Sequence, residues 1–350
     1  MNMYDYIVET NKFSKELMDN RILEYKEIVK LFNENDYDEI VFVGSGSSYN
    51  AALTTKYFME NMLDTKVSCI YPYLLLNFEK KINEKALYIF ISQSGESKLT
   101  YNAIEKIKEI TSSIVSLTSN KNSSISKFAN ISIDMNCGEE IVPYKTKGYI
   151  CTLISIIAIT LELAKGKNII DNLKYEEYVE NIYSIISNMK NIINKSEYWY
   201  EENINNMIDC DGVIVCGTGA NYGTAHEAHL KIIETVRCFT SFYELEEYMH
   251  GPQNSLNNRF IVFGINSGTI ENEKINTLFN FLKSKIDNAY IVGPSGDIDI
   301  NFIGKDELKF IEMTIFFQVF AYKYSKDKKI DLSKRTFEDF DKVVGKKVNN

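Results

Sequence analysis

The 350-residue chain is 45% hydrophobic and 25% charged, an ordinary globular balance, and long enough for two domains with cores of their own. Its formal net charge of −9 excludes the broad basic footprint that nucleic acid requires, though a local field for a small anion remains open. Six cysteines (Cys69, Cys137, Cys151, Cys210, Cys216 and Cys238) are scattered without a CxxC, which indicates neither zinc nor a redox motif and fits reduced thiols in the cytoplasm.

The first residues, MNMYDYIVETNKFSKEL, mix charges and lack the apolar stretch of a signal peptide. At residues 40 to 50 the chain reads IVFVGSGSSYN: a β-branched strand, a Gly-x-Gly turn, then a helix-like run from Ala51 to Met62. A short apolar segment follows from Val67, and a strong strand, ALYIFISQSG, starts at Ala86. That strand stops abruptly in Ser92, Gln93, Ser94, Gly95, Glu96 and Ser97. A helix beginning near Glu96 or Ser97 would aim its free N–H groups and positive dipole end at this cluster, and Ser47 and Ser48 at the neighbouring turn could add donors. Ordinary helix capping by Ser94 and Ser97 uses the same orphan donors, so capping and an anion cup stand side by side here. A third strand is expected at Ser113 to Leu117.

Tyr149 to Ala164, YICTLISIIAITLELA, is short for a bilayer span and carries Glu162, so it reads as a core or subunit-contact helix, not a membrane anchor. Lys165 to Asn206 is polar and helical in pattern without the Gly, Ser or Pro richness of a free linker.

The second half then repeats the first. VIVCGTGANYG at 213 to 223 matches IVFVGSGSSYN, followed by a helix over Thr224 to Val236, an apolar segment from Cys238, the strand FIVFGINSG from Phe260, and a third strand at Ala289 to Val292. Strands alternating with helices imply parallel sheets covered on both faces, so two doubly wound α/β domains are expected, with ligands at the carboxyl ends of the strands. The boundaries fall at 20–165 and 206–330, with a helical connection at 166–205 and a tail at 331–350. Neither Gly-x-Gly turn supplies the third glycine of a dinucleotide site, and no GxxxxGK[ST] occurs, so nucleotide chemistry is a weak reading.

Glu227, Lys231 and Glu234 fall at i, i+4 and i+7 on one helical face, a pattern more often a solvated salt-bridging stripe than a catalytic group. Beyond them, EEYMHGPQNS holds His250 in a Gly-Pro turn, where an acid or base could be presented, although an isolated loop histidine is often incidental. His226 and His229 sit one turn apart without a carboxylate or cysteine at a recognisable spacing and are read as structural, so no metal is expected.

GSGSSYN at 44, SQSGES at 92, EEIVPYKTKGY at 139, GTGANYGTAHEAHLKIIE at 217 and EEYMHGP at 246 together resemble the sugar isomerase (SIS) domain family. The likeness is to the isomerase half of glucosamine-6-phosphate synthase and to stand-alone fructosamine-6-phosphate deglycases, and it covers both repeats. The resemblance implies two flavodoxin-like SIS domains in tandem, binding a carbohydrate phosphate without a cofactor. It gives Ser48, Ser92, Gln93, Ser94 and Ser97 to the substrate phosphate, with Ser47 as a further contact. It makes Glu234 the base that moves a proton between C1 and C2, His250 the group that assists ring opening from the partner subunit of a homodimer, and Lys231 an organiser of the enediol or enaminol. Lys342 is the nearest match for a C-terminal lysine that contacts substrate. On this resemblance the chain, starting at Met1, is expected to lack a glutaminase domain, and Pro143, Tyr144 and Lys145 replace smaller residues of the synthase loop. The expected activity is therefore isomerisation or deglycation of a ketose or ketosamine 6-phosphate in the cytoplasm, the alternative being a non-catalytic sugar-phosphate sensor.

Overall fold

The computed structural model describes residues 1–268, 272–345 and 347. The chain divides into two compact units. The first holds residues 12–143, 147–180 and 334–350; the second holds 1–11, 144–146 and 181–333.

Two helices, α1 (Met3–Glu24) and α2 (Lys26–Glu34), open the chain. The first unit then alternates β1 (Glu39–Gly44), α3 (Ser47–Leu63), β2 (Lys66–Ile70), α4 (Pro72–Asn77), β3 (Ala86–Ile91), α5 (Lys98–Lys108), β4 (Ile114–Thr118), α6 (Ser124–Phe128) and β5 (Ile131–Asp134). The strands form one parallel sheet in the order β2-β1-β3-β4-β5. This is the flavodoxin-like order, and it reverses direction between β1 and β3. Strands β1, β3 and β4 are apolar almost throughout because helices cover both faces of a parallel sheet. Val41, Val43, Tyr88 and Phe90 share one face with Ala103, Ile104 and Ile107 of α5, while Ile40, Phe42, Leu87 and Ile89 alternate to the other.

Helix α7 (Lys147–Gly166) follows. It is long and apolar enough to cross a membrane, yet every residue of its apolar window is enclosed by protein, as a core helix should be. Its one carboxylate among the apolar turns, Glu162, is buried and answered by Arg21 Nε at 3.2 Å and the Tyr175 hydroxyl at 2.5 Å.

The polar stretch after it is one helix, α8 (Asn172–Met207). The second unit continues with β6 (Gly212–Gly217), α9 (Ala220–Thr235), β7 (Phe239–Glu244), α10 (Leu245–Tyr248), β8 (Phe260–Ile265), α11 (Asn272–Lys283), β9 (Ala289–Val292) and α12 (Phe310–Asp327). Its parallel sheet runs β7-β6-β8-β9, the same reversal with one strand fewer. A short helix, α13 (Phe340–Val344), ends the described elements. Both sheets are the doubly wound units expected from the repeat; the fifth strand of the first sheet, the short β5, was not foreseen.

Candidate functional site

In the first unit, Gly44 at the end of β1 pairs with Ile91 at the end of β3, so the turns that follow are neighbours at the reversal point. After β1 the chain turns through Gly46 at φ 58° and enters α3 at Ser47 and Ser48, both half-buried. After β3, the Gly95 N–H donates back to the Ser92 carbonyl at 3.0 Å and the Ser92 hydroxyl at 3.2 Å. The Glu96 N–H donates to the Ser94 hydroxyl at 3.3 Å. Ser97 is the N-cap residue of α5 but makes no side-chain cap bond; its hydroxyl instead accepts from Thr100 Oγ1 at 3.0 Å. Only glycine fits at position 95: φ is 70°, and a Cβ would lie 2.0 Å from Ser123 Oγ.

The cluster has an inward and an outward side. Glu96 turns away from the turn to cap α6, accepting from Ser124 N at 3.0 Å and Ser124 Oγ at 2.6 Å. Gln93 is tied down at both ends: its carbonyl accepts from Ser119 N, Ser119 Oγ and Thr118 Oγ1 at 2.9, 2.7 and 3.1 Å. Its amide nitrogen donates to Glu140 Oε2 at 3.1 Å and approaches Cys137 Sγ at 3.6 Å. Among the described residues, the backbone N–H groups of Gln93 and Ser94 donate to no protein acceptor. Two free N–H groups, the uncapped first turn of α5 and several serine hydroxyls make a cup suited to an anion. Sequence reasoning singled out these serines; it gave Glu140 no role, although EEIVPYKTKGY was conspicuous.

In the second unit, α9 carries the other candidates. Lys231 Nζ lies 3.0 Å from Glu234 Oε2 and 3.4 Å from Glu227 Oε1. The side chains of Lys231 and Glu227 are 2% and 1% exposed, whereas Glu234 retains 32%. The stripe is therefore not the solvated surface that its spacing suggests: α12 covers it with Thr314, Phe317 and Gln318. On a different side of α9, His226 and His229 pack on Phe242 with ring centroids at 4.0 and 5.0 Å. Burial, with His229 beside it, pushes His226 down to about 4, and burial lowers His229 as well. Among the described residues, no three His, Cys, Asp or Glu side chains are grouped to hold a metal ion.

His250 is exposed in the turn after α10, with its N–H on the Glu247 carbonyl at 3.1 Å. Gly251 follows at φ 139° and Pro252 opens a short 3₁₀ turn, which fixes where the imidazole is presented. Lys342 is an exposed residue of α13, counted with the first unit. It is Lys347, five positions on, whose backbone forms an antiparallel bridge to Ser97 at the cup. A tail bridge of this kind has no periodic signal in sequence.

The family model of the SIS domain matches residues 35–161. A glutamine–fructose-6-phosphate aminotransferase of Arabidopsis thaliana is 29% identical over 214 residues, which is 61% of this chain and 31% of that protein. The Thermotoga maritima counterpart is 27% identical over 321 residues, 89% of this chain and 52% of that one. The chain thus spans about half the length, or less, of these two relatives. Among solved structures, a Clostridium difficile protein described as a candidate phosphosugar isomerase superposes with a TM-score of 0.88 at 26% identity, covering 100% of both chains. The C-terminal domain of glucosamine-fructose-6-phosphate aminotransferase from Francisella tularensis shares the fold, with a TM-score of 0.82 at 21% identity over 93% of this chain and 97% of that one.

Proposed function

Residues 35–161 belong to the SIS domain family, and from that premise we propose that this protein is an enzyme acting on a ketose or ketosamine 6-phosphate by moving a proton between C1 and C2. The chain is phosphosugar-isomerase-like and related to the isomerase part of the aminotransferases. Within the first unit, Ser47, Ser48, Ser92, Ser94 and Ser97 supply hydroxyl donors to the phosphate. Gln93 and Ser94 add their backbone N–H groups. Within the second unit, Glu234 is the base, Lys231 stabilises charge developing on the sugar oxygen, and His250 assists ring opening. We assign His250 to the neighbouring copy of a homodimer, Lys342 to a substrate contact from the tail, and the protein to the cytoplasm, with no cofactor.

The observation that carries this reading is the state of Lys231. A lysine buried between two carboxylates costs several kcal/mol in desolvation, and a fold rarely keeps one without use. Here the arrangement leaves one of the two carboxylates, Glu234, open to an incoming molecule. A carboxylate held beside an ammonium can take a proton from C1 of an open-chain ketosamine and return it at C2, while the ammonium faces the oxygen that gains charge. The resulting C1 imine is hydrolysed by water to the aldose phosphate and free amine; with a ketose, the same transfer is plain isomerisation. Holding the phosphate away from the reacting carbons supplies binding energy to orient the open chain.

The test is incubation with fructosamine 6-phosphates and with fructose 6-phosphate. Release of glucose 6-phosphate with free amine supports deglycation, and conversion of fructose 6-phosphate alone supports isomerisation. Neither reaction on any phosphosugar offered would overturn the enzymatic reading.

A further inference from the structure

Beneath the cup, Gln93, Glu140 and Gly148 form a clamp that the assigned chemistry does not use. Glu140 is 5% exposed, and its Oε2 accepts both Gln93 Nε2 and the Gly148 N–H, each at 3.1 Å. A Cβ at position 148 would lie 2.4 Å from Cδ, Nε2 and Oε1 of Gln93, so the carboxamide keeps this position only while residue 148 is glycine. The carboxylate can only accept, which fixes the amide with its nitrogen toward Glu140. The side chain is thereby anchored on one side while Ser119 and Thr118 hold the Gln93 carbonyl on the other. Among the described residues, the backbone donors Gln93 N–H and Ser94 N–H on this rigid segment have no protein acceptor.

We propose that Glu140 is a positioning residue for the cup: through the Gln93 carboxamide it sets the two free N–H groups that receive the phosphate of a sugar phosphate, and through Gly148 it fastens the start of α7 to the same strand tip. A buried negative charge near a dianion site works against binding unless it is neutralised by hydrogen bonds and gives rigidity in return. Preorganised donors need no reordering when the ligand arrives. This assignment rests on the reading of the cup as a phosphate site.

The test titrates the full-length protein with glucose 6-phosphate by calorimetry and follows the Gln93 side-chain amide by ¹⁵N NMR, its signal identified by its loss in Gln93→Leu. Glu140→Ala is expected to weaken binding about tenfold or more and to move the Gln93 amide signal, because a hydrogen bond to a charged partner is removed. Glu140→Gln, which keeps an acceptor, should recover most of both. Gly148→Ala leaves the carboxylate in place but displaces the carboxamide, and should weaken binding similarly; it serves where Glu140→Ala does not fold. Wild-type protein that binds and an Ala variant that binds within about twofold of it would refute the positioning role while leaving the cup intact. Failure of Glu140→Gln to recover binding would refute it too. Wild-type protein that binds no sugar phosphate would remove the cup reading itself, and this assignment with it.

Discussion

Lys231 and Glu234 stand three residues apart on α9, joined Nζ to Oε2 at 3.0 Å, with the ammonium enclosed and the carboxylate partly open. The asymmetry distinguishes their roles, because the group that meets solvent is the one able to exchange a proton with a bound molecule. Glu234→Gln keeps the shape and a hydrogen-bond acceptor for Lys231 but cannot take a proton. Turnover on whichever sugar phosphate proves to be the substrate should fall by about 10²–10⁴-fold, with the melting temperature and phosphate binding nearly unchanged. Steady-state kinetics beside calorimetric binding checks this. Retained turnover would move the base elsewhere.

Lys231→Met tests the other half of the pair. With the ammonium gone, Glu227, 1% exposed under α12, would lose its ion pair with Lys231. Removing one partner of a buried pair costs about 3–5 kcal/mol, so chemical denaturation should show a marked fall in midpoint. Adding Glu227→Leu should return much of that loss, because a buried pair replaced by well-packed apolar residues is often neutral. Activity should not return with it.

The cup makes a comparison between two glycines. Gly95 and Gly46 both have positive φ, 70° and 58°. A Cβ on Gly46 meets nothing within 4 Å, whereas one on Gly95 would lie 2.0 Å from Ser123 Oγ. Gly46→Ala should therefore cost only the backbone penalty of a positive-φ conformation that is essentially glycine's alone (φ 58°, ψ −134°), about 1–3 kcal/mol. Gly95→Ala should add steric displacement of the 92–97 turn and abolish measurable glucose 6-phosphate binding. Denaturation and calorimetry on the two variants separate the effects, and equal losses in both would contradict the turn's role.

The alternating apolar runs of β1, β3, β6 and β8 were legible because strands covered on both faces are continuous in sequence. Helix α7 was legible from its apolar length. Helix α12 was not: Phe310 to Ala321 are all buried, so no amphipathic period marks the helix. β5, ISID, is half-buried and four residues long, below what alternation can reveal. At the site, the serine cluster announced itself by composition and turn chemistry. The burial of Lys231 did not, because i, i+4, i+7 spacing is the same whether the face meets water or α12. Gln93 and Glu140 are 47 positions apart, and only the fold brings their side chains together.

The histidines of α9 give a pH signature of folding. Burial and His229 lower His226 from its usual value to about 4, and His229 is lowered mainly by burial. Between about pH 6.5 and 4 the unfolded chain therefore binds a proton at His226 that the folded chain refuses, and the lowered His229 acts in the same direction. Protons then favour the unfolded state, so the contribution is fully present above about pH 6.5 and is lost as the pH falls through about 4. Thermal melts across that window should show the midpoint dropping with acid. His226→Phe, which keeps a ring against Phe242 but binds no proton, should flatten part of the drop, and His226→Phe combined with His229→Leu should flatten more. Carboxylates elsewhere add their own slope, so the quantity to read is the difference between wild type and variant at each pH. A difference that stays constant from pH 7 to pH 4 would mean that neither imidazole is held neutral against α9's neighbour strand.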